Sequence, residues 1–598
     1  MARPKIPDNP RDFKGQTDDY ILQVATEDWN RSVSFCNPYF DLFQEFYRLY
    51  NCQFTDEEKR PNGANLFIPY IYNIVETSIP KLIGSILDSR PFISYMPQGG
   101  SDEQKGKNMT SLVDFQMRQY MRAATRFYEI FKTACLYGTA ISKQGWRYET
   151  KNVTRRKNDV EQTVELGDGT PQKTKGQDIV VEPKVLYDAP EIKNIPLESF
   201  RFDPAYTDID SSPFVGHEYW KEKHELTSEK GYRNTSKLST EDQQDGELRD
   251  RLTLLQKNPA NMKNGVRIWE YWTDDYKVLI ANKTTVIQCI ENPYYHHKKP
   301  FTKWTLIPMP NEWFGKPPIA ALTDLQAELN TTRSQRIDNV SLALNRMYLV
   351  NRNASVDPKQ LVSRPNGYVE VDDINNDIKE LITQDVTGSA YKEEEIIKED
   401  MDVTSGIHNY DRGQEGSRKE TATVANLLTS ASSERFKLQI MMMEEDPMAD
   451  VGRQLAELNK QFLDDGTWIR VTQDGGDATA QQISLADIDA EFDIVAVGTA
   501  IEAAVNKELR QTQLIQLLST SSNIEGVNMK ELMRDIFKEF DFKNIDELIT
   551  PDVPVDTGTT VDPNAEQAET PSGVAEPGGI YPQTGGVGGM GLGLEQPK

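Results

Sequence analysis

The stretch from 317 to 347 constrains this chain more than any other. Leu322, Leu325, Leu329, Ile337, Val340, Leu344 and Met347 recur at helical spacing and predict one long helix, with Pro317 and Pro318 suited to its first turn. Its middle is not apolar. The run TTRSQRIDN at 331–339 puts Arg333 and Arg336 on or beside the stripe, together with Thr332, Gln335 and Asp338. A helix buried in one globular core keeps its stripe apolar along its length, so this one must meet something polar, or water, at its waist.

Size and charge narrow the surroundings of that helix. A chain of 598 residues exceeds what one hydrophobic core usually supports and predicts several domains. A net charge of −26 and a pI near 4.8 argue against a surface built to wrap phosphates, which would concentrate Lys and Arg. An acidic protein can still surround DNA if its task is to avoid sticking to it. Cys36, Cys52, Cys135 and Cys289 lie far apart, without a CxxC pair, and read as reduced thiols. The N-terminal residues contain no apolar segment of signal-peptide length, which points to a reducing cytoplasm as the place of synthesis. The most apolar window, 66–87, holds Pro69, Glu76, Pro80 and Lys81. Each central charge would cost about 2.5–3.5 kcal/mol in a bilayer, so the window reads as a packed helix and no membrane is expected.

Along the chain the hydrophobic period changes twice. Residues 20–50 and 103–137 are predicted helical, the second closed by Gly138 as a C-cap. Segments 141–150, 178–204 and 266–290 read as strands, with a charged hairpin or loop between the first two and a turn at Asp274 and Asp275. Residues 221–262 read as a solvated helical or irregular segment. After the helix at 317–347 comes a small mixed module whose Pro365-Asn366-Gly367 turn precedes the strand-like YVEV at 368–371. An acidic helix follows at 389–403, then a Gly-containing loop, then a helix at 420–464 in which Pro447 predicts a kink. Strands at 468–473 and 492–498, helices at 501–520 and 527–548, and a disordered Pro- and Gly-rich tail complete the reading.

Catalytic patterns are missing. No GxxxxGK[ST] loop occurs, and GKPP at 315–318 lacks the upstream glycine and the hydroxyl residue. GGVGGMGLG near 585–593 has no strand before it and no helix after it. Five histidines form no HExxH, GxSxG is absent, and the carboxylate runs at 393–395 and 444–446 read as solvated helix faces. The expectation is a protein that is not an enzyme and has no metal or cofactor. A nucleic-acid-processing enzyme remains an alternative reading.

The order of elements resembles the portal proteins, or head-to-tail connectors, of tailed bacteriophages, those of short-tailed phages above all. The residues that carry the resemblance are NIVETSIPKLIGSILDSRPFISYMP at 73–97, ESFRFDP at 198–204, WFGKPPIAALTDLQAELNTTRSQRIDN at 313–339, TSGIHNYDRGQEGSRKETATVANLL at 404–428 and FDIVAVGTAIEAAVNKELRQTQLIQLL at 492–518. It implies an α+β portal fold, mainly helical, with a β-rich wing and a small α/β clip, assembled as a ring of about twelve subunits around a central channel. It divides the chain into a wing at 1–316, a first stem helix at 317–347, a clip at 348–388 and a second stem helix at 389–405. A tunnel loop at 406–419, a kinked helix with wing strands at 420–500, a helical crown at 501–548 and a disordered tail at 549–598 follow.

The resemblance also implies site residues and partners. His408, Asn409, Tyr410, Arg412, Arg418 and Lys419 fall in the tunnel loop, where the basic groups could touch DNA or simply give an exposed loop mixed charge. Arg333, Gln335, Arg336, Asp338, Glu393, Glu394, Glu395, Glu399 and Asp400 fall on the stem as channel or interface residues; the two arginines could equally pair with a neighbour's carboxylates. Arg352, Lys359, Arg364, Asn366, Gly367 and Tyr368 fall in the clip, the docking surface for the terminase motor and then for tail adaptor or head-completion proteins. Coat and scaffold proteins would surround the wing, and double-stranded DNA would pass without sequence preference. The implied place is a capsid vertex of the virion, reached from the host cytoplasm during assembly. An adaptor or an internal ejection protein is the alternative within the virion.

Overall fold

The computed structural model describes residues 9–87, 91–99, 102–165, 171–229, 231–239, 265–344, 347–353, 356–361, 368–381, 387–407, 434–472, 478–496, 533–534 and 536–537. All of them belong to the first of two compact units, Met1–Ile545; the second, Asp546–Lys598, lies outside the described residues, as do the predicted tail and nearly all of the predicted crown.

Helix α1 (Asp18–Tyr50) starts where Thr17 Oγ1 accepts the Tyr20 N–H and where Asp18 and Asp19 suit the positive end of the helix dipole. Its buried face, from Ile21 and Trp29 through Cys36, Phe40 and Phe43 to Leu49, recurs every three or four residues. Helix α2 (Tyr70–Leu87) buries Ile71, Ile74, Val75, Ile79, Leu82 and Ile86 in one core with Cys36, Phe40, Phe43 and Leu49 of α1. Among the described residues no helix is long and apolar enough to cross a membrane. Strand β1 (Ile93–Pro97) then leads into α3 (Glu103–Gln119) and α4 (Ala123–Tyr137). The single helix predicted at 103–137 is therefore two, divided at Arg122, whose φ is +53°. The break lets Leu112 and Met117 on one helix and Phe127 and Phe131 on the other reach one core.

The α4 terminus is fixed by Gly138, at φ +79°, whose N–H donates to the Ala134 carbonyl. A Cβ at this position would lie 2.1 Å from the Gly315 carbonyl oxygen, so glycine is required both by conformation and by space. From there β2 (Thr139–Glu165) and β3 (Pro171–Ile195) form a long antiparallel ribbon in which the predicted charged hairpin is the outer part. The pairing shifts register at Glu149/Thr150 and at Lys157/Val160.

A second sheet has the order β4-β5-β6-β7-β8: β4 (Phe200–Phe202), β5 (Val215–Glu222), β6 (Gly265–Trp272), β7 (Tyr276–Ala281) and β8 (Thr285–Glu291). Asp274 and Asp275 do turn β6 into β7, and a second turn at Asn282 and Lys283, both at positive φ, splits the remainder into two strands. Helix α5 (Lys223–Ser228) accounts for part of the segment predicted as helical or irregular, and 240–264 lies outside the described residues. Trp269 of this sheet stacks on Trp29 of α1, ring centroids 4.2 Å apart. Strand β9 (Phe301–Thr305) pairs with the base of β2 and brings Trp304 against Phe127 and Phe131.

Helix α6 (Thr323–Leu344) is followed by β10 (Met347–Val350), which pairs with β11 (Ile378–Leu381). Residues 368–371, expected as a strand, have no regular structure; Ile378–Leu381 occupies the pairing edge of β10 instead. Helix α7 (Thr387–Ser405) comes next. The chain is described again as a helix from 434, passes Pro447 through a π-helical turn (Glu444–Met448) and continues as α8 (Ala449–Phe462). Proline lacks an N–H and crowds the carbonyl four residues back, and the wider turn accommodates both defects. Two antiparallel pairs close the described chain: β12 (Thr467–Thr472) with β13 (Ala478–Ile483), and β14 (Phe492–Ala496) with β1. The β1–β14 pair lies on Gly452 of α8, where a Cβ would meet Ile494 Cγ2 at 2.9 Å.

Two outcomes follow from these positions. Gly138→Ala meets both a left-handed φ and a backbone oxygen, and it should cost more than about 2 kcal/mol in chemical denaturation. Glu444 is buried, and burial pushes its carboxyl up to about 7 from the ordinary 4.5. The native state then holds a proton that the unfolded chain has released, so Glu444 costs stability progressively as pH rises from 4.5 to about 7. Glu444→Gln should gain melting temperature on the native chain across that window and no further above it.

Candidate functional site

The polar waist of α6 is used inside the chain. Gln326, Asn330, Ser334 and Asp338 are spaced four residues apart and form one row on the helix. Asp338 Oδ1 accepts the Ala64 N–H at 2.6 Å, Ser334 Oγ the Leu66 N–H at 3.1 Å, Asn330 Oδ1 the Ile68 N–H at 2.9 Å and Gln326 Oε1 the Ile71 N–H at 3.2 Å. Four helical residues advance about 6 Å and two extended residues about 6.6 Å, so a row at i, i+4 on the helix matches alternate amides of the irregular 64–68 segment. The last contact satisfies an amide in the first turn of α2, where a helix has no acceptor of its own. Gln326 also donates to the Ile68 carbonyl at 2.8 Å, and Arg60 pairs with Asp338 at 3.0 Å.

The neighbouring face of α6 meets α7 through a cluster of charges. Glu394, 6% exposed, receives Arg336 at 2.7 Å, Arg333 at 2.9 Å and Lys398 at 2.7 Å. The Arg336 guanidinium, itself buried, lies 4.0 Å from the centre of the Tyr391 ring. The carboxylate that pairs with the two arginines thus comes from the same chain. Beside it, Thr332, Gln335, Arg336, Asn339, Ser389, Ala390 and Glu393 line a polar cleft of about 310 Å³.

Helix α7 is strongly sided. Glu394, Ile397, Met401 and Asp402 are buried, with Asp402 Oδ1 accepting the Tyr70 hydroxyl at 2.6 Å. Glu393, Glu395, Glu399 and Asp400 are exposed. The inward positions follow an i, i+3, i+7, i+8 pattern, and the exposed remainder mixes these carboxylates with Tyr391, Lys392, Ile396 and Val403. Past α7, Gly406 adopts φ +72° and Ile407 is buried, and Arg435 Nη1 donates back to the Val403 and Thr404 carbonyls at 3.4 Å each. Arg435 is thereby held against the C-terminal turn of α7. His408, Asn409, Tyr410, Arg412, Arg418 and Lys419 are all outside the described residues. In the small module after α6, Arg352, Lys359 and Tyr368 are exposed, and Arg364, Asn366 and Gly367 are outside the described residues.

Sequence reasoning missed Gln326, Asn330, Ser334, Tyr391 and Lys398. The signal for the first three was present: short polar side chains at unbroken four-residue spacing, with no apolar residue among them. The apolar stripe also divides differently from expectation. Leu322 and Leu329 are buried, whereas Ile337, Val340 and Leu344 are exposed, Leu344 to 70%. Nothing among the described residues has the composition of a reaction centre, and no group of three or more His, Cys, Asp or Glu there has metal-holding geometry. Cys36 and Cys135 are buried, and Cys52 and Cys289 are half-buried and unpaired.

A family model described as the phage SU10 portal protein matches residues 43–575, and the chain belongs to that family. It is a bacteriophage portal protein, a structural component of the virion. Membership implies an oligomer at the capsid vertex with capsid and tail partners. A search of the curated proteins returned no match.

The charge cluster and the amide row make separate predictions. Glu394→Ala strands a buried guanidinium and should cost about 3–5 kcal/mol in denaturant unfolding, with non-additivity against Arg336→Met in a double-mutant cycle. Asn330→Leu leaves the Ile68 amide without its acceptor and should cost about 1–3 kcal/mol, with faster hydrogen exchange at that amide.

Proposed function

We propose that this portal protein forms a closed ring of about twelve subunits at one capsid vertex, the conduit through which DNA is packaged and later ejected. The exposed apolar surface at the end of α6 supports the ring. Ile337, Val340 and Leu344 are continuous with β10, all four residues of which, Met347, Tyr348, Leu349 and Val350, are exposed. A monomer rarely leaves such a run uncovered, and adjacent subunits in a ring would cover it. In this reading α6 and α7 are the stem, 348–388 is the clip that receives the terminase motor and then the tail adaptor, and coat and scaffold proteins surround the wing.

The acidic face of α7 would turn toward the channel. Lys and Arg contacts hold DNA through release of its counterions, whereas carboxylates repel the phosphates and leave the duplex free to move. Glu393, Glu395, Glu399 and Asp400 are the exposed carboxylates available for this, and Glu394 offsets one of the three positive charges of Arg333, Arg336 and Lys398. The loop residues Arg412, Arg418 and Lys419 would touch DNA transiently. Mass photometry with negative-stain microscopy of the purified chain should show a ring of about twelve copies with an axial hole. A closed particle or filament without an axial hole contradicts the proposal. Replacing Glu393, Glu395 and Glu399 by Lys should raise the ring's affinity for duplex DNA steeply at low salt and slow its release.

A further inference from the structure

The β2–β3 ribbon carries a surface that the ring reading does not account for. Its base is clamped to the body: Trp146 Nε1 donates to Asp188 at 2.7 Å, the Trp146 ring stacks on Phe462, and Tyr187 lies between Arg147 and Tyr120. Beyond Tyr148 the strands pair only with each other, out to Glu165 and Pro171. At about 3.3 Å per residue that outer part is an arm about 55 Å long.

The arm is two-faced. The register sets Thr150 opposite Val185, Asn152 opposite Pro183 and Thr154 opposite Val181, and directly opposed residues share a face. These six residues make an uncharged patch, exposed throughout, Val181 to 60%. The alternate positions, Glu149, Lys151, Glu182 and Lys184, put charge on the other face. A ribbon of two strands is marginally stable by itself in water, and over 150–154 and 181–185 this one keeps its charges to one side, as a ribbon lying on another surface would.

We propose that the uncharged face of this arm lies on a second copy of the chain, the neighbouring subunit of the ring, so that each subunit straps the next. The inference rests on the ring reading. Length identifies the occupant: a compact body of about 500 residues is about 60 Å across, so an arm of about 55 Å held firmly at its base spans most of an adjacent body. Capture of one subunit by the arm of the next also repeats around a ring without an end, which suits a heterologous closed interface.

The test places a photo-crosslinking residue at Thr150, on the uncharged face, or at Lys151, on the charged face, in the full-length chain, with particle mass measured on the same samples. The expected result is a ring whose illumination gives a covalent dimer from position 150 and far less from position 151. Val181→Lys with Val185→Lys should abolish the dimer from position 150 while leaving the melting temperature of the unassembled chain unchanged, because neither residue belongs to the core. Rings of full mass that give no dimer from position 150, or equal yields from both positions, overturn the strap and leave the ring standing. A chain that stays monomeric and gives no dimer overturns the ring and the strap together.

Discussion

The architecture around α6 and α7 depends on α6 acting as an acceptor for the chain's own backbone. Segment 64–68 has no strand partner, and its amides would otherwise go unpaired beside a core. Four side chains on one row of α6 satisfy them, fix the start of α2 and so seat Ile71, Ile74 and Ile79. Glu394 then ties α7 to the adjacent face of α6 through Arg333 and Arg336. Polar residues in the middle of a long helix are therefore the joint among three segments, α2 with its approach, α6 and α7. Buried ion pairs of this kind give modest net stability, since desolvation offsets much of the attraction. Their contribution is to select one arrangement: a helix turned by one residue would leave both the arginines and the amides without partners.

That joint also decides how charge is distributed. Arg333 and Arg336 are paired within the subunit, on a single carboxylate that they share with Lys398, while most of the acidic residues of α7 are left outside. In a chain with a net charge of −26, the exposed carboxylates of α7 outnumber the positive charges that Glu394 leaves unbalanced. For a conduit this is the useful balance, because transport needs weak and uniform contact with the duplex.

Much of this was legible in the sequence. The α1, α2 and α6 helices, the strands after Gly138, the turn at Asp274 and Asp275 and the glycine C-cap follow from spacing and residue chemistry. The break at Arg122 did not, since apolar periodicity continues through a residue that only tertiary packing drives to positive φ. Nor did the strand pairing after α6: YVEV has the better strand composition, yet Ile378–Leu381 is the segment that reaches β10. At the stem the presence of an answer to the polar waist was readable and its content was not. Arg333 and Arg336 called for carboxylates, and the sequence offers many; that Glu394 is the one depends on how α7 returns across α6.

The most direct test is a cryo-electron microscopy map of the assembled particle, at a resolution that shows side chains along the stem. The account predicts Arg336 and Arg333 on Glu394 of their own subunit, Asn330 and Ser334 on the amides of Ile68 and Leu66, and the Glu393, Glu395 and Glu399 carboxylates facing an axial channel. Arginines turned into the lumen, or a stem in which segment 64–68 has left α6, would contradict it.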